Sequence, residues 1–425
     1  MNDNVIEFVE QDEFTNVARI KVIGVGGGGS NAVRRMIEAE LVGVDFYVVN
    51  TDLQALKSCH NATRVQIGIN TTHGLGAGAD PERGRKAAEE DKENLKSIVE
   101  GAEMVFVTSG MGGGTGTGAA PTIASLAKES GALTIGVVTR PFDFEGRQRS
   151  VQAEEGVENI RESADSVIVI PNQRLIEECD RKMPIRMAFR MGDEVLLHAV
   201  QSISDLITVP GEINLDFADV QTVMKDAGGA LMGIGSATGD NRAEIAARHA
   251  ISSPLLEENS IEGATGIIVN ITGPIDMAMH ELEDAMDVIR NASDTQQVIF
   301  GLAYDDSLED ELRVTVIATG FDPHRRTQDK AAVQSEGVNL EAFLGRNFSH
   351  VGQSRPHSGP AGNSRQTDYR RQADSFMPQS KPAPERPKRG APERESAATS
   401  ESAATSEEVL DIPAFLRVRN SKERK

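Results

Sequence analysis

The chain has 425 residues, enough for two domains and a tail, and with 4% aromatic residues and no tryptophan its core must be aliphatic. Residues 1–323 carry 26 basic and 52 acidic side chains, and residues 324–425 carry 18 and 13, for a formal net charge of −21. This acidity argues against nucleic-acid binding, and no apolar run approaches the roughly 20 residues of a membrane span. The acidic, polar start Met1–Phe14 is unlike a signal peptide, so we expect a cytoplasmic protein.

The first half of the chain predicts a parallel α/β sheet. Residues 1–16 indicate a flexible arm, Ala18–Val25 a strand, Gly26–Gly29 a glycine turn and Asn31–Leu41 a helix. Further strands are predicted at Asp45–Asn50, Met104–Thr108, Leu133–Thr139 and Ser166–Ile170. The two cysteines, Cys59 and Cys179, lack the spacing of a metal or redox motif, so we predict ordinary thiols and no metal bound by them.

A long helix, Met187–Ile207, precedes a second and smaller α/β region. Pro210 and Gly211 end this helix. The following helices are predicted at Asp219–Lys225, Arg242–Ser252 and Ile275–Asn291, and the strands at Ala230–Ile234, Gly266–Thr272 and a closing pair, Gln297–Tyr304 and Leu312–Thr319.

Beyond Phe321 the composition is typical of a disordered linker. The segment Glu395–Ser400 repeats at once as Glu401–Ser406. At the end of this linker, the compact apolar segment Val409–Arg417 is typical of a short docking peptide, and a basic end follows it.

The most informative segment is Gly110–Gly118, in which six of nine residues are glycine. It lies between a predicted strand and a helix predicted at Ala119–Lys128, where backbone N–H groups and the helix dipole favour a phosphate. The alternative, a flexible glycine linker, is disfavoured by the strand and helix that flank it so tightly. Thr115 and Thr117 could donate hydroxyl hydrogen bonds to phosphate oxygens.

The earlier cluster Gly24–Gly29 also matches a dinucleotide-binding fingerprint, with Asp52 near the position of a ribose-binding acid. Alone, it would indicate a nicotinamide or flavin enzyme. Two glycine turns at one sheet edge, however, favour a longer triphosphate chain. The chain has no Gly-Lys pair, which disfavours a P-loop NTPase.

Asp216 and Asp219 lie three residues apart at a predicted helix start and therefore share a face. Spacing alone favours helix capping. A catalytic role requires that a phosphate be brought near the pair.

These motifs together resemble those of the tubulin superfamily, in particular its bacterial FtsZ branch. The resemblance covers about residues 17–320 and the tail tip. The matching segments are Gly112–Gly118, Asn50–Asp52, Gly74–Gly78, Pro141–Gly146, Asn214–Asp219, Ser252–Leu256 and Asp411–Leu416.

The resemblance implies a GTPase that polymerises head to tail, with Mg²⁺ beside the phosphates. It implies phosphate contacts from Gly27, Gly28, Gly29, Ser30, Asn31, Gly78, Gly114, Thr115 and Gly116. It also implies ribose contacts from Glu145 and Arg149, guanine contacts from Asp193, and stacking from Phe189. Asp216 and Asp219 would be catalytic, polarising the attacking water at the GTP of the neighbouring subunit.

The same resemblance implies a division ring at midcell, on the inner face of the membrane. Membrane-anchoring partners similar to FtsA and ZipA would bind residues 409–417. The expected domains are an arm (1–16), a Rossmann-like GTP-binding domain (17–185), a central helix (186–210), an α+β domain that activates hydrolysis (211–322), a disordered linker (323–408) and a docking peptide with a basic end (409–425). The alternatives are a Rossmann oxidoreductase and a nucleotide-dependent scaffold that does not hydrolyse.

Overall fold

The computed structural model describes residues 18–177, 182–209, 211–256, 261–305 and 308–321. The predictions for the arm, Cys179, Pro210, the linker and the docking peptide lie outside these residues. Within them, no helix has both the length and the apolar character needed to cross a membrane.

One mixed sheet of ten strands, with helices on its faces, organises the described residues. The strands are β1 (Ile20–Val25), β2 (Val44–Asn50), β3 (Thr63–Gln66), β4 (Met104–Gly110), β5 (Leu133–Arg140), β6 (Ser166–Pro171), β7 (Gly228–Thr238), β8 (Gly266–Gly273), β9 (Val298–Tyr304) and β10 (Glu311–Thr319). The helices are α1 (Gly26–Glu38), α2 (Leu53–Lys57), α3 (Ile69–Thr72), α4 (Pro81–Glu90), α5 (Lys92–Val99), α6 (Thr115–Glu129), α7 (Arg147–Ser163), α8 (Asn172–Glu177), α9 (Ile185–Thr208), α10 (Phe217–Met224), α11 (Arg242–Ile251) and α12 (Met279–Asn291).

The strand order is β3-β2-β1-β4-β5-β6-β7-β10-β8-β9. The first six strands are parallel to one another, as predicted for the first half, although β3 was not among the predicted strands. Strand β6 pairs with β7 in parallel over three residue pairs, so one sheet includes strands from both halves of the chain. The carboxyl ends of β1, β4, β5 and β6 therefore lie along one edge.

The prediction of a closing strand pair was wrong in its pairing. Strand β10 lies between β7 and β8 and is antiparallel to both, and β9 pairs with β8 instead. Both strands exist near their predicted bounds, but their hydrophobic patterns do not specify the neighbour. The helix predicted from Ile275 begins only at Met279, after the loop that follows β8.

Helix α9 links the two halves of the fold through the core. Its buried residues Val195, Val200 and Ile203 pack in one cluster with Phe106 and Ile135 of the first half. The same cluster includes Met232, Ile268 and Ile317 of the second half. Because α9 packs against residues of both halves, the position of the helix relative to the sheet is fixed.

Candidate functional site

The two glycine-rich turns pack directly against each other at the carboxyl ends of β1 and β4. A Cβ at Gly26, where φ is +70°, would lie 2.8 Å from the backbone nitrogen of Gly116. A Cβ at Gly28 would lie 2.9 Å from the backbone nitrogen of Gly110. Since glycine alone permits this backbone approach, the structure confirms that both turns face one region.

The Gly26–Gly29 segment is the first turn of a helix and not a loop before one. Helix α1 begins at Gly26, and α6 begins at Thr115, four residues before the start predicted for it. Neither helix has an acidic side chain in its first turn. Two unopposed positive helix ends therefore meet at this edge, which is the electrostatic environment that an anion requires.

These helix ends form one wall of a cavity of about 380 Å³. Most of the predicted site residues line it: Gly27, Gly28, Asn31, Gly78, Gly114, Thr115, Gly116, Glu145, Arg149, Phe189 and Asp193. These residues come from both glycine turns, the Gly74–Gly78 loop, the short segment before α7, α7 itself and α9. Their convergence on one cavity could not be read from their separation along the chain.

Gly29 and Ser30 are buried and do not line the cavity. The Ser30 hydroxyl donates to the Gly26 carbonyl oxygen at 2.6 Å and so closes the first turn of α1. A Cβ at Gly29 would lie 2.8 Å from the carbonyl carbon of Gly24, so this glycine permits α1 to pack closely on β1.

The two threonines of the second turn have different surroundings. Thr115 lines the cavity, and its hydroxyl lies 2.7 Å from that of Thr51, which ties the turn to the end of β2. Thr117 does not line the cavity, and its hydroxyl oxygen accepts from the Gly112 N–H at 2.9 Å. We conclude that Thr117 stabilises the turn internally.

Phe189 brings a group of three aromatic rings to the cavity. The rings of Phe142 and Phe189 are edge to face with centroids 5.3 Å apart, and Phe144 stacks on Phe142 at 5.1 Å. Glu145 accepts from the Phe142 N–H at 3.0 Å and pairs with Arg149. Of the three rings, that of Phe189 lines the cavity, so these contacts place an aromatic ring beside a charged pair, a combination that suits a base and its sugar.

Asp193 lies on α9, about one helical turn after Phe189, and lines the same cavity. Burial raises the pKa of its carboxyl to about 7, although Arg35 and Arg34 oppose the shift. A half-buried carboxylate without a hydrogen-bonded counterion is costly, and such groups are common at binding sites. A ligand with N–H donors would offset that cost.

Sequence reasoning missed Asn172, the first residue of α8. Its side chain is buried, lines the cavity, and its Oδ1 atom has no hydrogen-bond partner. A buried polar atom without a partner is rare, which marks this amide as a candidate ligand contact. Asn172, like the cavity residues Thr139 and Pro141, lies at the carboxyl end of a strand, and this position was the available signal.

Asp52 is excluded from the role that a dinucleotide enzyme would give it. Its carboxylate accepts from the N–H groups of Gln54 at 2.7 Å and Ala55 at 3.3 Å, so it caps α2. It does not line the cavity.

Asp216 and Asp219 lie at the far end of α9 from the cavity. The Leu215 N–H donates to the Leu206 carbonyl at 3.2 Å, which fixes this loop to the last turns of the helix. Because Asp193 and Leu206 are 13 residues apart on one helix, the two places are about 20 Å apart along its axis. The carboxylates are therefore not brought to the cavity of their own chain.

The capping interpretation of Asp216 is wrong for its side chain. Asp216 is the residue before α10, but its carboxylate makes no capping hydrogen bond. Both Asp216 and Asp219 are exposed. Two exposed carboxylates at a helix start, unused by their own fold, are available to a second molecule.

The part of the chain that the structure describes has no cluster of three His, Cys, Asp or Glu side chains that could hold a metal ion.

Comparison with known proteins identifies the family to which this fold belongs. A family model described as the Tubulin/FtsZ family, GTPase domain, matches residues 19–180, and one described as the FtsZ family, C-terminal domain, matches residues 228–322. A solved empty FtsZ dimer from M. jannaschii is 40% identical with a TM-score of 0.68, and the match covers 71% of this chain and 88% of that one. The chain belongs to the tubulin/FtsZ family.

Other solved structures extend the comparison within this family. A mutant FtsZ from M. jannaschii is also 40% identical, with a TM-score of 0.68 and coverage of 72% of this chain and 91% of that one. CetZ2 from Haloferax volcanii, solved as a GTPγS-bound protofilament, is 22% identical with a TM-score of 0.61, covering 76% and 99%, and shows a common fold. The fold is thus that of a tubulin/FtsZ family GTPase, and the dinucleotide oxidoreductase alternative was wrong.

Proposed function

We propose that this protein is a GTPase that polymerises head to tail and hydrolyses GTP at the interface between two subunits. The observation that supports this most strongly is the separation of the two parts of the site. The anion-binding cavity lies at the start of α9, and the unpartnered carboxylates follow its end. Helix α9 has 24 residues and is about 36 Å long, so a second copy must supply the carboxylates.

The cavity suits GTP along its whole length. The triphosphate would lie against the N-terminal ends of α1 and α6, where backbone N–H groups are available. The ribose would contact Glu145 and Arg149, and the base would stack near Phe189. The Asp193 carboxylate and the Asn172 Oδ1 atom would accept from the ring N–H and amino group of guanine, which adenine cannot supply in that arrangement.

Catalysis would consist mainly of positioning and charge stabilisation. Asp216 and Asp219 of one subunit would orient and polarise the water that attacks the γ-phosphate held by the other. Mg²⁺ would supply positive charge between phosphates and carboxylates, which otherwise repel each other. Hydrolysis would thereby depend on assembly.

Exposed apolar side chains support association through both ends of the molecule. Near the cavity, Leu75 is 84% exposed in the loop that supplies Gly78, and Phe144 is 59% exposed. At the other end, Ile275 and Met279 are 75% and 77% exposed after β8. This loop lies on the same side as Asp216, because β8 and β9 end together and Ile213 pairs with Leu302 of β9.

The Asp216→Ala variant tests the shared site. Because its carboxylate does not reach its own cavity, we expect GTP binding to remain within twofold, while turnover at assembly concentrations falls by about a hundredfold. Glu212→Ala is the matched control, since Glu212 is an exposed acid of the same loop. An equal loss of binding and turnover would contradict the proposal, and undetectable turnover by the parent would favour a scaffold that does not hydrolyse.

We further infer that the polymer forms the division ring of a bacterial cell, at midcell on the cytoplasmic side of the membrane. The similarity to FtsZ supports this inference. Anchoring proteins of the FtsA and ZipA kind would bind the apolar segment Val409–Arg417. Each contact would be weak, and a polymer that presents many copies would bind strongly.

Deleting residues 409–417 should therefore abolish recruitment of polymers to anchor-coated vesicles and leave GTP turnover in solution unchanged. Deleting residues 395–400, one copy of the repeated segment, is the control. Recruitment that survives the loss of residues 409–417 would contradict the docking role.

A further inference from the structure

An ion cluster joins the helix that begins at the phosphate turn to the end of the helix that carries the candidate catalytic pair. The Lys128 Nζ atom lies 2.8 Å from Asp226 Oδ1 and 3.1 Å from Asp165 Oδ1. Lys128 is in the last turn of α6. Asp165 precedes β6, and Asp226 lies between α10 and β7.

The buried member of this cluster makes it more than a surface ion pair. The Asp165 side chain is 5% exposed, and its Oδ2 atom accepts from the Thr134 N–H at 2.9 Å. Its backbone carbonyl accepts from the Gly228 N–H at 2.8 Å, where β7 begins. Removing one partner of a buried ion pair leaves a charge uncompensated, so Asp165 depends on Lys128.

Asp226, the exposed member of the cluster, lies in a turn with an unusual backbone conformation. Asp226 has a φ of +50°, a conformation that non-glycine residues adopt only at a cost. The hydrogen bond from Lys128 lowers the pKa of the Asp226 carboxyl, which shows that the two groups attract each other. The cluster thus fixes the turn through which the chain leaves α10.

Two further hydrogen bonds hold the same end of α10. The Ser166 hydroxyl donates to the Met224 carbonyl at 2.6 Å, and the Thr319 hydroxyl donates to the Val223 carbonyl at 3.0 Å. Helix α10 has only eight residues, so its two ends are about 12 Å apart. Any tilt at Met224 therefore moves Asp219 and Asp216 at the opposite end.

We propose that Lys128 is a positioning residue for the carboxylates Asp216 and Asp219. Through Asp165 and Asp226 it anchors the C-terminal end of α10 to the nucleotide-binding half of the same subunit. The orientation of the carboxylates that this subunit offers to its neighbour depends on that anchor. This inference rests on the proposed function, in which those carboxylates act across an interface.

The test uses mixed polymers in which only one kind of interface can hydrolyse GTP. Asp216→Ala subunits keep an intact cavity and lack a functional carboxylate pair. Gly27→Leu subunits keep their carboxylates, but the added side chain enters the open space beside Gly27 and blocks the cavity. Each variant alone should be inactive, and the mixture should recover turnover.

Lys128→Met is then added to one member of the mixture at a time. In the Gly27→Leu subunit, which supplies the carboxylates, we expect kcat to fall about tenfold with KM unchanged, since small misplacements of reacting groups are costly. In the Asp216→Ala subunit, which supplies the cavity, we expect no change. Lys128→Arg should restore most of the activity because it retains the charge. Lys96→Met, in the last turn of α5, is the control.

The outcomes separate this inference from the proposed function. If the two parent variants recover no turnover when mixed, the shared site itself is wrong and the inference fails with it. If they do recover turnover and Lys128→Met acts equally in both subunits, or changes only the melting temperature, Lys128 is merely structural and this inference alone is overturned.

Discussion

At the scale of single residues, the raised pKa of Asp193 predicts a pH dependence of both ligand binding and folding stability. Burial raises the pKa of its carboxyl to about 7, so a ligand that needs the carboxylate competes with a proton near neutral pH. If Asp193 binds guanine as proposed, the fraction of the protein able to accept hydrogen bonds from the base falls as the pH falls through 7.

GTP affinity should therefore weaken by about tenfold between pH 8 and pH 6, in proportion to the ionised fraction. Titrations of binding across this range would measure it. Asp193→Asn is the reference, because it lacks this carboxyl and retains every other titrating group, including the nucleotide phosphates. If both proteins show the same pH profile, Asp193 does not bind the base as a carboxylate.

The same residue should make the nucleotide-free protein less stable as the pH rises. Because the folded-state pKa is raised above that of an unfolded aspartate, the native state binds more protons between about pH 4 and pH 7, and stability falls with rising pH in that window. Without nucleotide, Asp193→Asn should have a higher melting temperature than the parent at pH 8 and a similar one at pH 4. An unchanged melting temperature at pH 8 would contradict this.

At the scale of elements, the close packing of α1 on β1 and β4 forms the part of the cavity that the glycine turns line. A Cβ at Gly29 would run into the carbonyl oxygen of Thr108 in β4 and the backbone of Gly24. A Cβ at Gly27, two residues earlier in the same turn, would meet no atom within 4 Å.

Gly29→Ala should thus lower the free energy of unfolding by about 1–3 kcal/mol and weaken GTP binding. Gly27→Ala should not lower stability, because its methyl group meets no atom in the folded protein and alanine restricts the unfolded chain more than glycine does. Denaturant unfolding of both variants would measure the difference. Similar stability for the two variants would mean that this packing tolerates a methyl group.

The same elements show how far local sequence patterns determine structure. The pattern of apolar runs, each followed by a helix, was sufficient to predict five of the six parallel strands. Strand β3 was missed, because its four residues, Thr63–Gln66, include only one apolar side chain. The start of α1 was not predicted, since glycine has low helix propensity and tertiary packing alone makes Gly26–Gly29 helical. The predicted pairing of β9 with β10 was wrong for a similar reason, because strand order depends on contacts between residues far apart in the chain.

Within the site, residues in glycine-rich or charged motifs were found, and an isolated polar residue was not. Gly114, Thr115 and Gly116 belong to a dense local pattern. Asn172 is one amide among ordinary neighbours, and only the fold shows that its oxygen is buried without a partner. Asp216 was placed at a helix start by its spacing, but its distance from its own cavity depends on the length of α9.

At the scale of the whole molecule, the proposed function places the two parts of one site at opposite ends of α9. The cavity is at one end of α9, and the carboxylates follow the other, each with exposed apolar side chains nearby. Stacking copies head to tail would complete one site at each interface and leave one incomplete site at either end of the polymer. Turnover should then follow the number of interfaces and not the number of subunits.

The most direct test is GTP turnover per subunit, measured from nanomolar to micromolar protein in Mg²⁺ buffer, with sedimentation to measure polymer in parallel. The shared site predicts negligible turnover per subunit at nanomolar protein and a steep rise at the concentration where polymer first sediments. Turnover per subunit that stays constant over the whole range would show that one chain contains a complete site and would contradict the proposed mechanism.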